Sequence, residues 1–182
     1  MAGIQQGLIG SLYGAVGDFE SIASASGTGS SDTITFSAIP ATYSHLQVRF
    51  IGRCTAAANE IRLTFNSDTG ANYSYHRLMG DGASATANAW TSSSFIELPP
   101  NSYSSLAANI YGAVVLDILD YANTSKYKTT RAIGGEDSNG AGYLTLMSGN
   151  WRSTSAITSL TFKTNSGYWE ANSHFALYGL KG

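Results

Sequence analysis

The sequence predicts an all-β fold, an antiparallel two-sheet sandwich of jelly-roll type carrying an extended N-terminal arm. Three observations lead there. From Asp32 onward apolar and polar residues alternate with a period of two. Clusters of Gly, Asn, Asp, Ser and Pro interrupt the alternation roughly every 8–15 residues, the spacing of turns in an all-β domain. Only 12% of the 182 residues are charged while 43% are hydrophobic, against about 25% charged in an average domain.

Residues 1–31 stand apart as an arm and hinge. Ile4, Leu8, Ile9, Leu12, Tyr13, Val16, Phe19 and Ile22 are spaced by glycines and lead into Ser-Ala-Ser-Gly-Thr-Gly-Ser-Ser. The glycines oppose an isolated helix, and Gly27 and Gly29 read as the hinge. An apolar arm that cannot bury itself is expected to bind a partner, and these eight side chains are its expected contacts.

Residues 32–182 form the expected sandwich domain. Ile34 and Phe36 alternate with Thr33 and Thr35; Leu46, Val48 and Phe50 with Gln47 and Arg49; Ile61, Leu63 and Phe65 with Arg62 and Thr64. Ile110, Val114, Leu116 and Ile118 continue the pattern, and Val115 and Leu119 on the second face predict a strand covered on both sides. Further strands are predicted near 73–79, 93–98, 126–133, 142–147, 156–163 and 173–180. Turns are predicted at 67–72, 80–82, 98–101, 134–140 and 165–167. A strand count of nine or ten without amphipathic helices suits a jelly roll, and no helix longer than two turns is expected after residue 31.

The net charge of -2 and the pI near 5.8 lack the basic footprint of phosphate binding, so nucleic acid is not an expected partner. The single cysteine, Cys54, excludes an internal disulfide framework and reads as a small buried hydrophobe. No apolar run approaches the roughly 18 residues of a membrane span, and the start lacks the positive region of a secretory signal. Synthesis in a cytoplasm and no membrane partner are expected.

No nucleophile elbow is present. His45, His76 and His174 read as polar strand residues, and no zinc spacing exists. Asp117 and Asp120 raise the thought of paired carboxylates for glycoside hydrolysis. Three residues apart on a strand they point to opposite faces, so they read as strand-end and turn residues, with Asp120 bonding into the loop before Lys126. Asn66 to Asn72 spaces oxygen ligands like a calcium loop but lacks its charge count, and reads as an Asx turn. Residues 135–139 read as a solvated hairpin tip that could carry an ion or a hydroxyl-rich ligand. No catalytic residue, metal or cofactor is expected. Trp90, Tyr103, Trp151 and Trp169 fall in or near predicted loops and are candidate contacts for sugar or protein. Faces rich in Ser, Thr, Asn and Tyr are expected to be subunit contacts.

Five blocks together carry a family resemblance: TITFSAIPATYSHLQVRFIGR (33–53), FNSDTGANYSYHRLMGDG (65–82), VVLDILDYANTSKYKTTRAIGGEDSNG (114–140), SGNWRSTSAITSLTF (148–162) and SHFALYGLKG (173–182). As a set they resemble small virion structural proteins of tailed bacteriophages, labelled as head-decoration, cement or tail-fibre proteins. The resemblance implies a β-sandwich component of a phage particle, made in the bacterial cytoplasm, and brings no catalytic motif. Residues 83–109 match the pattern least.

The expected function is therefore a capsid decoration or cement protein that binds major capsid subunits and stabilises the shell. The short chain, the apolar arm and the absence of coiled-coil or β-helical repeats favour it over a long fibre. A homotrimer is the expected oligomer, since such plugs suit symmetry axes. The alternative is a tail-fibre or receptor-binding module recognising host glycan through loop aromatics. A third reading, a polysaccharide-degrading enzyme, would require release of reducing sugar.

Overall fold

A computed structural model describes residues 18–57, 60–100 and 102–182, and every regular element among them is a strand. In chain order these are β1 (Phe19–Ser26), β2 (Thr33–Phe36), β3 (His45–Gly52), β4 (Ile61–Phe65), β5 (Tyr73–Gly80) and β6 (Ala85–Ser93), then β7 (Ile96–Leu98), β8 (Gly112–Leu119), β9 (Lys128–Ser138), β10 (Ala141–Trp151), β11 (Leu160–Thr164) and β12 (His174–Leu180). They form two antiparallel sheets, an eight-stranded one ordered β1-β12-β3-β8-β9-β10-β5-β6 and a four-stranded one ordered β2-β11-β4-β7.

The pairings are those of one long hairpin rolled into two layers. β2 pairs with β11, β3 with β8, β4 with β7 and β5 with β6; the roll then closes through β11 on β4 and β10 on β5. This is the jelly-roll arrangement, with the position opposite β3 widened into the meander β8-β9-β10 and with β12 and β1 added beyond β3.

The expected core strands lie in its centre. Leu46, Val48, Leu116 and Ile118 are fully buried, as are Leu63, Phe65 and Phe162 from the small sheet. Phe50 stacks on Phe175 with ring centroids 4.6 Å apart and meets Phe162 edge-on at 5.9 Å, so aromatic contacts join the two layers. Gly52 is needed at this end, because a Cβ there would lie 2.9 Å from the Trp169 ring.

Several elements depart from expectation. Phe19–Ser26 is an edge strand paired with β12 over seven positions, so Phe19 and Ile22 belong to the sheet and not to an arm. Gly27 and Gly29 are no hinge: their amides donate to the Ser173 and Trp169 carbonyls, at 2.9 and 2.8 Å. Ile4, Leu8, Ile9, Leu12, Tyr13 and Val16 lie outside the described residues. β6 is a strand the period-two reading misses, since Ala-Thr-Ala-Asn-Ala-Trp-Thr-Ser-Ser carries no large apolar alternation; as an edge strand it needs little. Residues 134–138 continue β9 instead of forming a tip, and the turn shrinks to Asn139 and Gly140, both at positive φ (59° and 92°). Such a two-residue Asn-Gly turn matches the twist of its strands. The second face of β8 is open to solvent, with Leu119 exposed and Val115 half-buried.

Candidate interaction face

The outward side chains of the eight-stranded sheet line up in rows because its strands pair in nearly unbroken register. One row runs His174, Ile51, Ala113, Gly135, Leu144, Gly80, Ala85. The next runs Ala176, Arg49, Val115, Ile133, Leu146, Leu78, Ala87. From β3 to β6 these two rows are almost wholly apolar. Leu144 is 66% exposed, Leu78 52%, Ile133 50%, Leu146 47% and Ile51 45%. Isolated surface leucines are ordinary, but contiguous rows of them mark a surface meant to be covered.

The face also carries shallow hollows. A groove of ≈ 880 Å³ runs along it between Arg49, Ile51, Val115, Ile133, Leu144 and Tyr178. A second hollow of ≈ 460 Å³ adjoins it at His76, Leu78, Ala87, Arg131, Leu146 and Ser148. Gly135 and Gly142 let the β9–β10 hairpin bend sharply at the groove wall, where a Cβ would lie 2.0 Å from the Tyr143 carbonyl and 2.2 Å from the Glu136 carbonyl respectively.

The neighbouring row is polar and internally satisfied. Asp117 accepts from Gln47 Nε2 at 2.8 Å and from an Arg131 guanidinium nitrogen at 2.9 Å, while Arg49 Nε donates to Gln47 Oε1 at 2.7 Å. The Arg49 guanidinium lies 5.2 Å from the Phe19 ring centroid and 5.6 Å from that of Tyr178. Its charges are thus already partnered, which lowers the cost of covering the face.

The loop aromatics expected as contacts fare differently. Trp151 and Trp169 are buried, at 2% and 0% exposure, and belong to the core. Trp151 packs on Phe65 and Tyr73, and Trp169 edge-on against Phe175. Trp90 is half-buried, stacked on Tyr75 at 4.8 Å with the Arg77 guanidinium 5.0 Å from its centroid, so its ring is already engaged. Tyr103 sits half-buried in the loop before β8. No two of the four form a common surface with the apolar rows.

The carboxylates weighed as catalytic or cation-binding serve the fold. Asp117 belongs to the outer face, and Asp120, in a turn at φ 48°, accepts the Asn123 amide of the loop at its carbonyl while its carboxylate takes an ion pair and hydrogen bond from Lys126 itself. That ion pair and hydrogen bond hold the Asp120 carboxyl below its ordinary range. Asp68 accepts from the Trp151 indole, the Gly70 amide and Asn72, an Asx turn tied to the core, and the indole bond foremost lowers its pKa. Glu136 is buried, takes a hydrogen bond from the Ser102 hydroxyl at 2.9 Å, and has its pKa raised by desolvation. Among the described residues no group of three or more His, Cys, Asp or Glu is placed to hold a metal ion. Cys54 is buried, as its apolar reading expected.

Sequence reasoning did not find the apolar rows. Leu144 and Leu146 alternate with Thr145 and Met147, and Leu78 neighbours Met79, so either parity could have faced the core. Val115 and Leu119 were the one available signal, and they pointed to a second covered face.

Comparison with known family models, curated proteins and solved structures returned no match.

Proposed function

We propose that the chain is a structural protein of a tailed-bacteriophage particle, a decoration or cement protein that binds major capsid subunits and stabilises the head shell. The observation that carries the reading is the outer face of the eight-stranded sheet, whose two apolar rows and shallow groove invite a covering neighbour. A cement protein needs such an adhesive surface on a body that does not deform, and a twelve-stranded roll with an aromatic core supplies the body. Ile51, Leu78, Val115 and Ile133 fall within the blocks that carry the resemblance to phage structural proteins. Particle symmetry multiplies a modest contact into a tight one, and a homotrimer fits that use.

The test is the number of copies per purified particle. Hundreds of copies, lost together with shell stability when the protein is omitted, are the expected result. About a dozen copies or fewer, at the tail, would replace the reading with a tail-fibre or glycan-binding one.

A further inference from the structure

We infer that the apolar rows on the outer face are covered by residues 4–16 of a second copy of this chain. The inference rests on the proposed adhesive role of that face: it assigns the apolar rows to a neighbouring copy and leaves the polar row at Gln47, Asp117 and Arg131 to the shell.

Chemistry matches segment to face. Residues 1–17 contain no Asp, Glu, Lys or Arg, and Ile4, Leu8, Ile9, Leu12, Tyr13 and Val16 supply six large apolar side chains in thirteen positions. The rows they would meet, around Ile51, Ile133, Leu144, Leu146 and Leu78, are likewise uncharged from β8 to β6. A neutral segment on these rows leaves no charge buried without a partner.

The direction of the chain favours a second copy over the segment's own body. β1 runs from Phe19, beside Leu180, to Ser26, beside His174. The apolar rows lie toward the Ser26 end, because His174 aligns with Ile51 and Ala176 with Arg49. The chain before Phe19 therefore starts at the opposite end, and the Lys181 amide, donating to the Asp18 carbonyl at 3.0 Å, keeps Asp18 in line with the strand.

Reach decides further. From β1 to β10 is five strand spacings, about 24 Å, and five residues back along the strands add about 17 Å at right angles, so Leu146 lies on the order of 29 Å from Asp18. At about 3.4 Å per residue, Val16, Tyr13 and Leu12 extend at most about 20 Å from Asp18. Folded back on its own body, this half of the segment would rest on the polar row at Tyr178, Gln47 and Asp117. Directed to a neighbour, all six apolar residues are available to the apolar rows. Exchange of this kind is reciprocal in a two-fold dimer, or head-to-tail in a closed ring or an open chain of copies.

The experiment uses the purified full-length chain. Leu12→Cys and Leu146→Cys are prepared separately, with the buried Cys54 retained, then mixed and oxidised. The expected result is a disulfide-linked dimer containing one of each, formed in clear excess over either preparation alone. Light scattering of the unmodified chain should give a multiple of the monomer mass. Deletion of residues 2–17, or Leu144→Asp with Leu146→Asp, should return it to a folded monomer whose melting temperature no longer rises with protein concentration. A monomeric parent chain, no mixed dimer in excess over either preparation alone, or an oligomer that survives the deletion would each overturn the exchange. All are read on the isolated protein, so their failure is distinct from that of the virion reading, which the copy count per particle judges.

Discussion

The Trp151 indole N–H donates to the Asp68 carboxylate at 2.7 Å, tying the turn between β4 and β5 to the last residue of β10. Replacing Trp151 by Phe should keep most of the packing on Phe65 and Tyr73 while removing that bond to a charged acceptor, at a cost of about 1.5–3 kcal/mol. The bond also holds the Asp68 pKa down, so its share of stability is present above the ordinary carboxylate range and is lost as pH falls through the folded value. Urea denaturation at neutral and acid pH should show Trp151→Phe less stable at neutral pH, with a shallower fall in acid.

Lys128 is fully buried, and its ammonium donates to the carbonyls of Asn123, Lys126 and Thr154. It thereby pins two loops to the start of β9, and burial lowers its pKa. Lys128→Met fills the space but leaves three inward carbonyls without their donor, which should cost about 2–4 kcal/mol. A Met variant as stable as the parent in urea would show that the loops rearrange to satisfy themselves.

Phe50→Ala and Leu116→Ala should each cost roughly 2–5 kcal/mol, since both side chains fill the interface between the sheets. Thr35→Ala on the small sheet should stay within about 0.5 kcal/mol in the isolated chain, while Gln47→Ala, which removes the bonds to Asp117 and Arg49 on a half-exposed face, should cost about 1 kcal/mol. Chemical denaturation of the four variants checks the inward face directly.

Truncation should separate the N-terminal segment from β1. Deleting residues 2–17 should leave a cooperatively folding monomeric body, losing only the concentration-dependent part of the parent's melting temperature. Deleting 2–27 also removes β1, uncovers the hydrogen-bonding edge of β12 and breaks the Tyr43 hydroxyl bond to Glu20, so it should lower the melting temperature by at least about 5 °C. Equal melting temperatures for the two truncations would mean that β1 contributes nothing to the fold.

Burial pushes the Tyr73 phenol up to about 12, against an ordinary value of 10. Between those values the unfolded chain has released a proton that the fold retains, so stability must fall as pH rises through this window. Tyr73→Phe should be less stable at neutral pH by about 1 kcal/mol, having lost its hydrogen bond to the Asp68 carbonyl, yet show a shallower alkaline decline. Thermal melts from pH 8 to 12 measure both.

Most of the strand framework was legible because alternation needs only local information. Ile34 and Phe36, Leu46 and Val48, and Leu116 and Ile118 face inward as their polar neighbours require. The exclusion of long helices followed from the same period and holds throughout the described residues.

What the sequence by itself determined was thus the β class, the inward parity of strands with one polar face, and the Asx turn at Asp68, whose chemistry is local. Tertiary structure alone decided the rest. Leu144, Leu146 and Leu78 face outward because their strands are apolar on both parities, and only the position of the small sheet chooses between them. Trp151 and Trp169 are core residues because strands distant in sequence close over them. Phe19–Ser26 is a strand because β12, some 150 residues later in the chain, offers an unpaired edge, and hydrogen bonding to such an edge depends on a partner that no local pattern reveals.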